Sequence, residues 1–182
     1  MPLAAGTHRF GPANATLSVR TGRTGAASKA GHDLLLHVTA WEATLEVGDG
    51  GAATGLEFNA DSTSLRVREG TGGMQALGDD DKANIEQTID DEILRRTTIG
   101  FSSTAVELAE AGDVLTVQGD LTLAAATRAL AFDLVVAADG SLTAGIKIRQ
   151  SEWGIKPYST LFGALKVADE VEIDVSAPAV AG

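Results

Sequence analysis

The three histidines are the residues of this sequence best suited to bind a metal or to transfer protons. They are His8, His32 and His37. The run Leu34-Leu35-Leu36 between the last two is typical of a strand, so these two cannot share one face of a helix. The sequence contains no His-Glu-x-x-His motif, and a metal site would need ligands from distant positions. We therefore predict no metal and no cofactor, and a hydrogen-bonded structural role for His32 at the start of a strand.

Acidic runs in the middle of the chain suggest calcium binding at first, but their spacing favours a helix. Asp79-Asp80-Asp81 lacks both the alternating oxygen ligands and the glycine of a calcium loop. Aspartates at a helix start satisfy free N–H groups and complement the helix dipole. Isoleucines then follow at helical spacing, at Ile85, Ile89 and Ile93. We predict one helix from about Asp79 to Leu94, with the isoleucines packed on the sheet and Asp90-Asp91-Glu92 on a solvated face.

The motifs of phosphate binding and of nucleophilic hydrolysis do not occur in the sequence. The glycine-rich segment from Gly70 to Gly73 is not followed by the Lys-Ser/Thr of a phosphate loop. No serine lies in a Gly-x-Ser-x-Gly elbow. The chain has no cysteine, which excludes disulfides and thiolate nucleophiles. We predict that the protein is not an enzyme.

A loop from Trp153 to Phe162 gathers large side chains and is the candidate binding element. It holds one of the two tryptophans and the only tyrosine, Tyr158. Pro157 stiffens the loop and cannot donate to a sheet ladder. Two interpretations remain open: the rings seal a sheet edge or a homodimer contact, or Trp153, Tyr158 and Phe162 form a lip over a cavity. In the second case the Tyr158 O–H would meet the polar head of a ligand.

Most of the chain alternates apolar and polar residues with a period of two, which is typical of strands. The clearest alternation covers residues 115–123, 130–136, 142–148 and 171–175. A change of parity after Phe101 predicts a bulge near Thr104-Ala105. Ala138-Asp139-Gly140 is a hairpin turn signal. With about eight strands and regularly spaced turns, we predict an all-β, lipocalin-like antiparallel β-barrel with one inserted α-helix.

Composition and charge limit the partners. The 182 residues fit a single domain spanning 1–182, and a net charge of −11 disfavours nucleic acid and anionic membrane surfaces. No stretch approaches the ~20 apolar residues of a membrane-spanning helix. The first residues lack the pattern of a secretory signal. We expect a cytoplasmic protein, or a periplasmic or secreted one if a signal has been removed.

A barrel of this size is either filled by its own side chains or holds one small ligand, and the pattern alone leaves both open. We predict that Phe58, Phe101, Leu123 and Phe132 face the interior, because each lies on the apolar parity of its strand. The candidate ligand-binding residues are Leu36, Phe58, Phe101, Val117, Leu123, Phe132, Ile146, Trp153, Tyr158 and Phe162.

Four short segments resemble, in the right order, motifs of the YceI-like family. They are Thr98–Val106, Gly119–Leu123 followed by Thr127-Arg128 and Phe132–Leu134, Gln150–Ile155, and Val167–Ile173. The first resembles the family's I-x-F-x-S-T-x-V strand and the second its Gly-Asp-Leu-Thr hairpin. The chain departs from the pattern at Ala124–Ala126, where the family has a glycine, and at Arg95–Thr97, where it often has Tyr-Pro. The match extends from about Thr16 to Val175.

This resemblance implies an elongated apolar cavity that holds a polyisoprenoid or an amphipathic lipid chain. The function it implies is storage or transport of that lipid, without catalysis. Two alternatives remain: a structural or interaction barrel with a packed core, and an enzyme that acts on a bound lipid.

Overall fold

Twelve strands and one α-helix follow one another along residues 3–180, the part of the chain that the computed structural model describes. The strands are β1 (Gly6–Phe10), β2 (Thr16–Thr24), β3 (His32–Val38), β4 (Trp41–Val47), β5 (Ala53–Ala60), β6 (Leu65–Gly72), β7 (Ile99–Leu108), β8 (Val114–Leu123), β9 (Ala126–Val136), β10 (Leu142–Arg149), β11 (Ser159–Thr160) and β12 (Leu165–Ala177). The helix is α1 (Asp79–Thr88). The predicted all-β antiparallel class with one inserted helix is confirmed.

The predicted count of about eight strands was too low. β3 and β4 form one apolar run in the sequence, because the turn between them, Thr39-Ala40, has no residue typical of turns. β1 contains a single apolar residue, Phe10, and β11 is two polar residues long. β1 therefore lacks the alternation, and β11 the length, that a period-two pattern requires.

The strands form one curled antiparallel sheet in the order β1-β4-β5-β7-β8-β9-β10-β12-β2-β3-β6. Within the described residues β1 and β6 are its two ends, and β11 pairs only with β12. β12 joins the two parts of the chain, since Ile173 pairs with Ile146 of β10 and with Val19 of β2. The predicted bulge is present, because the register between β7 and β8 shifts between Ser103 and Ala105.

The helix lies where the sequence predicts it. The Asp81 carboxylate accepts a hydrogen bond from the Gly78 N–H at 2.9 Å, which closes the first turn. A wider π-helical turn, Ile89–Ile93, follows α1 directly. Arg95 and Arg96 then take positive φ angles of 53° and 54°, a conformation that ends the helix. No helix within residues 3–180 is long and apolar enough to cross a membrane.

Candidate ligand-binding cavity

The curled sheet and the helical segment enclose one large cavity of about 500 Å³. Every strand except β11 contributes to its wall, mostly through alternate residues such as Leu34, Leu36 and Val38 of β3. This spacing follows from the pleat, which turns every second side chain to the same face. Ile85, Ile89 and Ile93 of the helical segment cover the remaining side. The volume is in the range of sites that hold small molecules.

The wall is apolar, with a few neutral polar groups. Its polar residues are Thr21, Asn84, Thr88, Gln150 and Tyr158. All wall residues in the described part of the chain are uncharged at neutral pH. Gln150 is buried, and its amide donates to the Ala168 carbonyl at 3.1 Å. Such a wall favours a ligand that is itself mainly apolar, because each polar group moved away from water without a partner costs free energy.

Seven of the ten predicted site residues lie on this wall. They are Leu36, Phe58, Phe101, Leu123, Phe132, Ile146 and Tyr158. The rings of Phe101 and Phe132 pack with their centroids 5.5 Å apart and tilted by 58°. The four residues predicted to face inward, the three phenylalanines and Leu123, all do so. Their role in binding stays a prediction.

The other three predicted residues lie elsewhere. Val117 shares a sheet face with its cross-strand partner Phe132, but neighbouring core side chains cover it completely, so it has no surface left for a ligand. Trp153 is buried in the core, and its indole N–H donates to the Leu121 carbonyl at 2.9 Å. Phe162 points into solvent with a fully exposed ring. The predicted lip of three rings therefore contains only Tyr158.

Trp41 is a wall residue that the sequence analysis did not assign. It packs against Phe58, with 6.1 Å between ring centroids. The available signal was the alternation Trp41, Ala43, Leu45, which places all three on one face of β4. The apolar residues from Leu34 to Val47 form one continuous run in the sequence, which obscures this alternation.

Asn84 of α1 and Tyr158 are the exposed members of the wall, from which we infer that the cavity opens to solvent beside them. The helix is held over the cavity by Glu86. Its carboxylate accepts a hydrogen bond from the Val67 N–H of β6 at 2.9 Å and lies 3.9 Å from the Arg66 guanidinium. The helix thus forms a lid that is fastened to the edge strand.

Two of the three histidines form hydrogen bonds with backbone carbonyl groups. His32 donates from its ring to the Gln75 carbonyl at 2.6 Å, and His8 does so to the Ala4 carbonyl at 2.7 Å. Burial lowers the pKa of His37, and the nearby Arg68 lowers it further. His32 stands at the first position of β3, as predicted for a hydrogen-bonded structural histidine.

A curled antiparallel sheet around an apolar interior, closed by a helix, defines a lipocalin-like architecture. Residues 12–179 match the YceI-like domain family, and the chain belongs to that family. No curated protein matches the sequence significantly.

Solved structures share the fold at low sequence identity. BcnA of Burkholderia cenocepacia superposes with a TM-score of 0.61 at 17% identity, over 89% of this chain and 94% of that one. A polyisoprenoid-binding domain from Saccharophagus degradans, implicated in plant cell wall breakdown, gives 0.56 at 10% identity, over 96% and 100% of the two chains. The YceI protein of Campylobacter jejuni gives 0.52 at 12% identity, over 78% and 81%. At these identities the likeness establishes the fold.

Proposed function

We propose that the protein binds a long apolar chain, an isoprenoid or an amphipathic lipid, inside the cavity, and that it does so without catalysis. The observation that carries this proposal is the wall itself, which surrounds about 500 Å³ with apolar and neutral side chains drawn from nearly every strand. A packed structural barrel would leave no such space. Family membership and the polyisoprenoid-binding domain with the same fold support the same conclusion.

The energetics suit a chain of isoprene units. Such a chain presents almost only apolar surface, and burial of that surface contributes roughly 25 cal/mol per Å². The rings of Phe58, Phe101 and Phe132 supply large flat contacts along the wall. Tyr158, at the solvent end, would meet the polar head of an amphipathic chain. The wall thus supplies contacts for both parts of such a ligand.

Filling the cavity tests the proposal. Ala43 lies on the wall and Ala131 is exposed on β9, so Ala43→Phe adds a ring inside and Ala131→Phe adds the same ring outside. We expect Ala43→Phe to weaken uptake of geranylgeraniol by about tenfold, since two lost methylene contacts of about 0.8 kcal/mol each already amount to that factor. Uptake is measured by native mass spectrometry of delipidated protein.

The matched variant Ala131→Phe should bind as the unmodified protein does. Equal affinity for all three proteins would contradict binding in this cavity. Recovery of a chemically altered lipid after incubation would contradict the non-catalytic part of the proposal, because a binding protein returns its ligand unchanged.

A further inference from the structure

One end of the sheet exposes large apolar side chains to solvent. β2 and β6 end there, and β3, β11 and β12 begin there. Among the described residues four large hydrophobic side chains are exposed, and three of them, Met74, Tyr158 and Phe162, belong to the segments at this end. Their exposed fractions are 84%, 44% and 112%. The fourth, Val135, lies beside the other end of β12, next to the turn between β9 and β10.

Close backbone contacts bring these segments together. Gly73, which precedes Met74, packs against the His32 ring. Gly31 packs against the Leu165 side chain, and Leu165 pairs with Thr160 of β11. The turn between Thr160 and Leu165 carries Phe162, and the Tyr158 carbonyl accepts from the Val167 N–H at 2.9 Å.

The same segments are basic, although the chain as a whole is acidic. Residues 22–33, 70–78 and 155–167 contain Arg23, Lys29, Lys156 and Lys166 against the single carboxylate of Asp33, a net charge of +3 in a protein of −11. The three lysines are exposed, and they are three of only five in the chain. Asp33 lies 3.7 Å from the Arg23 guanidinium, so these two form an ion pair. Carboxylates adjoin these segments in the sequence: Glu69 directly precedes residue 70, and Asp79–Asp81 of α1 directly follow Gly78.

We propose that this end of the sheet docks on an anionic lipid bilayer, with Phe162 and Met74 inserted at the level of the head groups and Lys29, Lys156 and Lys166 against the lipid phosphates. Exposed apolar tips surrounded by lysines combine the two attractions that hold a peripheral protein on a membrane. Charge complementarity favours the bilayer at this end, because three of the five lysines lie on the segments at this end together with the exposed apolar side chains, whereas the net charge of −11 opposes binding of an anionic surface elsewhere on the protein.

The docking end is also the solvent end of the cavity. Tyr158 lines the cavity and belongs to the exposed apolar set, and Val167, its backbone partner, is another wall residue. A protein docked in this orientation would present the cavity opening to the bilayer, so that an apolar chain would pass between the two without crossing water. This pathway rests on the proposed function, whereas docking itself does not.

Flotation with vesicles tests docking independently of ligand uptake. We expect the protein to float with vesicles of phosphatidylcholine and phosphatidylglycerol at low salt, and to bind pure phosphatidylcholine vesicles much more weakly. Phe162→Ser should lower the vesicle partition coefficient about tenfold, because the ring loses its burial. The double variant Lys156→Gln, Lys166→Gln should lower it further for anionic vesicles, by roughly fivefold per lysine.

Two matched variants serve as controls. Val135→Ser removes an exposed apolar residue at the other end of the sheet, and Lys147→Gln removes a lysine that lies 3.8 Å from Glu170. Both should float as the unmodified protein does. Equal flotation of Phe162→Ser and Val135→Ser would overturn the proposal. A dimer in solution that Phe162→Ser converts to monomers would also overturn it, because a second copy of the chain would then occupy the surface. Failure of geranylgeraniol uptake with intact flotation would contradict the proposed function alone.

Discussion

At the scale of single residues, the two tryptophans have different surroundings. Trp41 lies on the cavity wall against Phe58, whereas Trp153 is buried in the core with its indole N–H bonded to the Leu121 carbonyl. A ligand in the cavity would therefore change the surroundings of the Trp41 indole and leave those of Trp153 as they are. The aromatic residue best placed to report binding is not the one in the 153–162 loop.

Tryptophan emission provides the corresponding measurement. We expect geranylgeraniol to shift or quench the emission of the unmodified protein, because an apolar chain would replace solvent beside Trp41. The Trp41→Phe variant, which retains Trp153, should show little change at the same degree of binding. A response of full size in Trp41→Phe would place the ligand near Trp153 and contradict this assignment.

At the scale of elements, the Glu86 carboxylate joins the helical lid to the edge strand. β6 ends the sheet, so the outward N–H of Val67 would have no strand partner, and the Glu86 carboxylate accepts it instead. A hydrogen bond to a charged group contributes more than one between neutral groups. The same contact both protects the edge of the sheet and positions Ile85 and Ile89 over the cavity.

Glu86→Ala should therefore loosen the lid. We expect faster hydrogen exchange at the Val67 amide and a loss of about 1–2 kcal/mol in the free energy of unfolding, because one charged hydrogen bond to a half-buried strand is removed. Exchange measured by NMR gives the first quantity and urea unfolding gives the second. Glu92→Ala, which changes an exposed glutamate in the following π-helical turn, is the matched control and should have almost no effect. Unchanged protection at Val67 in Glu86→Ala would show that the carboxylate does not hold the lid.

At the scale of the whole molecule, three carboxylates link stability to pH: Asp61 and Asp139 in connections between strands, and Asp169 in β12. Hydrogen bonds from Thr63, Ser141 and Ser151 lower the pKa values of Asp61, Asp139 and Asp169, in that order, below the ordinary value of 3.8. A depressed carboxyl pKa contributes stability that is present above the unfolded pKa and is lost as the pH falls through the folded pKa. We therefore expect part of the stability to disappear below about pH 3.8.

Removing one donor should affect one carboxylate. The Ser151 hydroxyl is 2.5 Å from one Asp169 oxygen, and its backbone N–H donates to the other at 2.8 Å. Ser151→Ala should raise the pKa of Asp169 toward 3.8 without moving that of Asp139, and Ser141→Ala should do the reverse. An NMR titration of the aspartate carboxyl carbons resolves both shifts. If the pKa of Asp169 were the same in Ser151→Ala as in the unmodified protein, the Ser151 hydroxyl would not be the main cause of the lowered pKa.

Much of this architecture was predictable because it depends on periodicity. Alternation in β8, β9 and β10 fixed the face of Leu123, Phe132 and Ile146, and the four-residue spacing of the isoleucines identified the helical lid. The change of parity before Val106 located the bulge. These features follow from local backbone geometry, which repeats along the chain.

Features set by tertiary packing were not predictable from the sequence. Val117 and Phe132 have the same parity and face the same way, and only the packing of surrounding side chains decides that one is enclosed and the other borders the cavity. The 153–162 loop has no period from which a side-chain direction follows. Its rings consequently separate into a core residue, a cavity residue and a solvent-exposed one.

The position of β12 between β10 and β2 has a consequence for synthesis on the ribosome. Val19 pairs with Ile173, a residue made 154 positions later, so one edge of β2 has no native partner until β12 emerges. Long-range pairing of this kind is slow, because the loop-closure entropy is lost before the contacts form. In a nascent chain that stopped short of residue 165, β2 and β10 would each have an unpaired edge that could pair with another chain. The two sides of the cavity would not be joined. Assembly of the whole cavity wall therefore has to wait until β12 is translated.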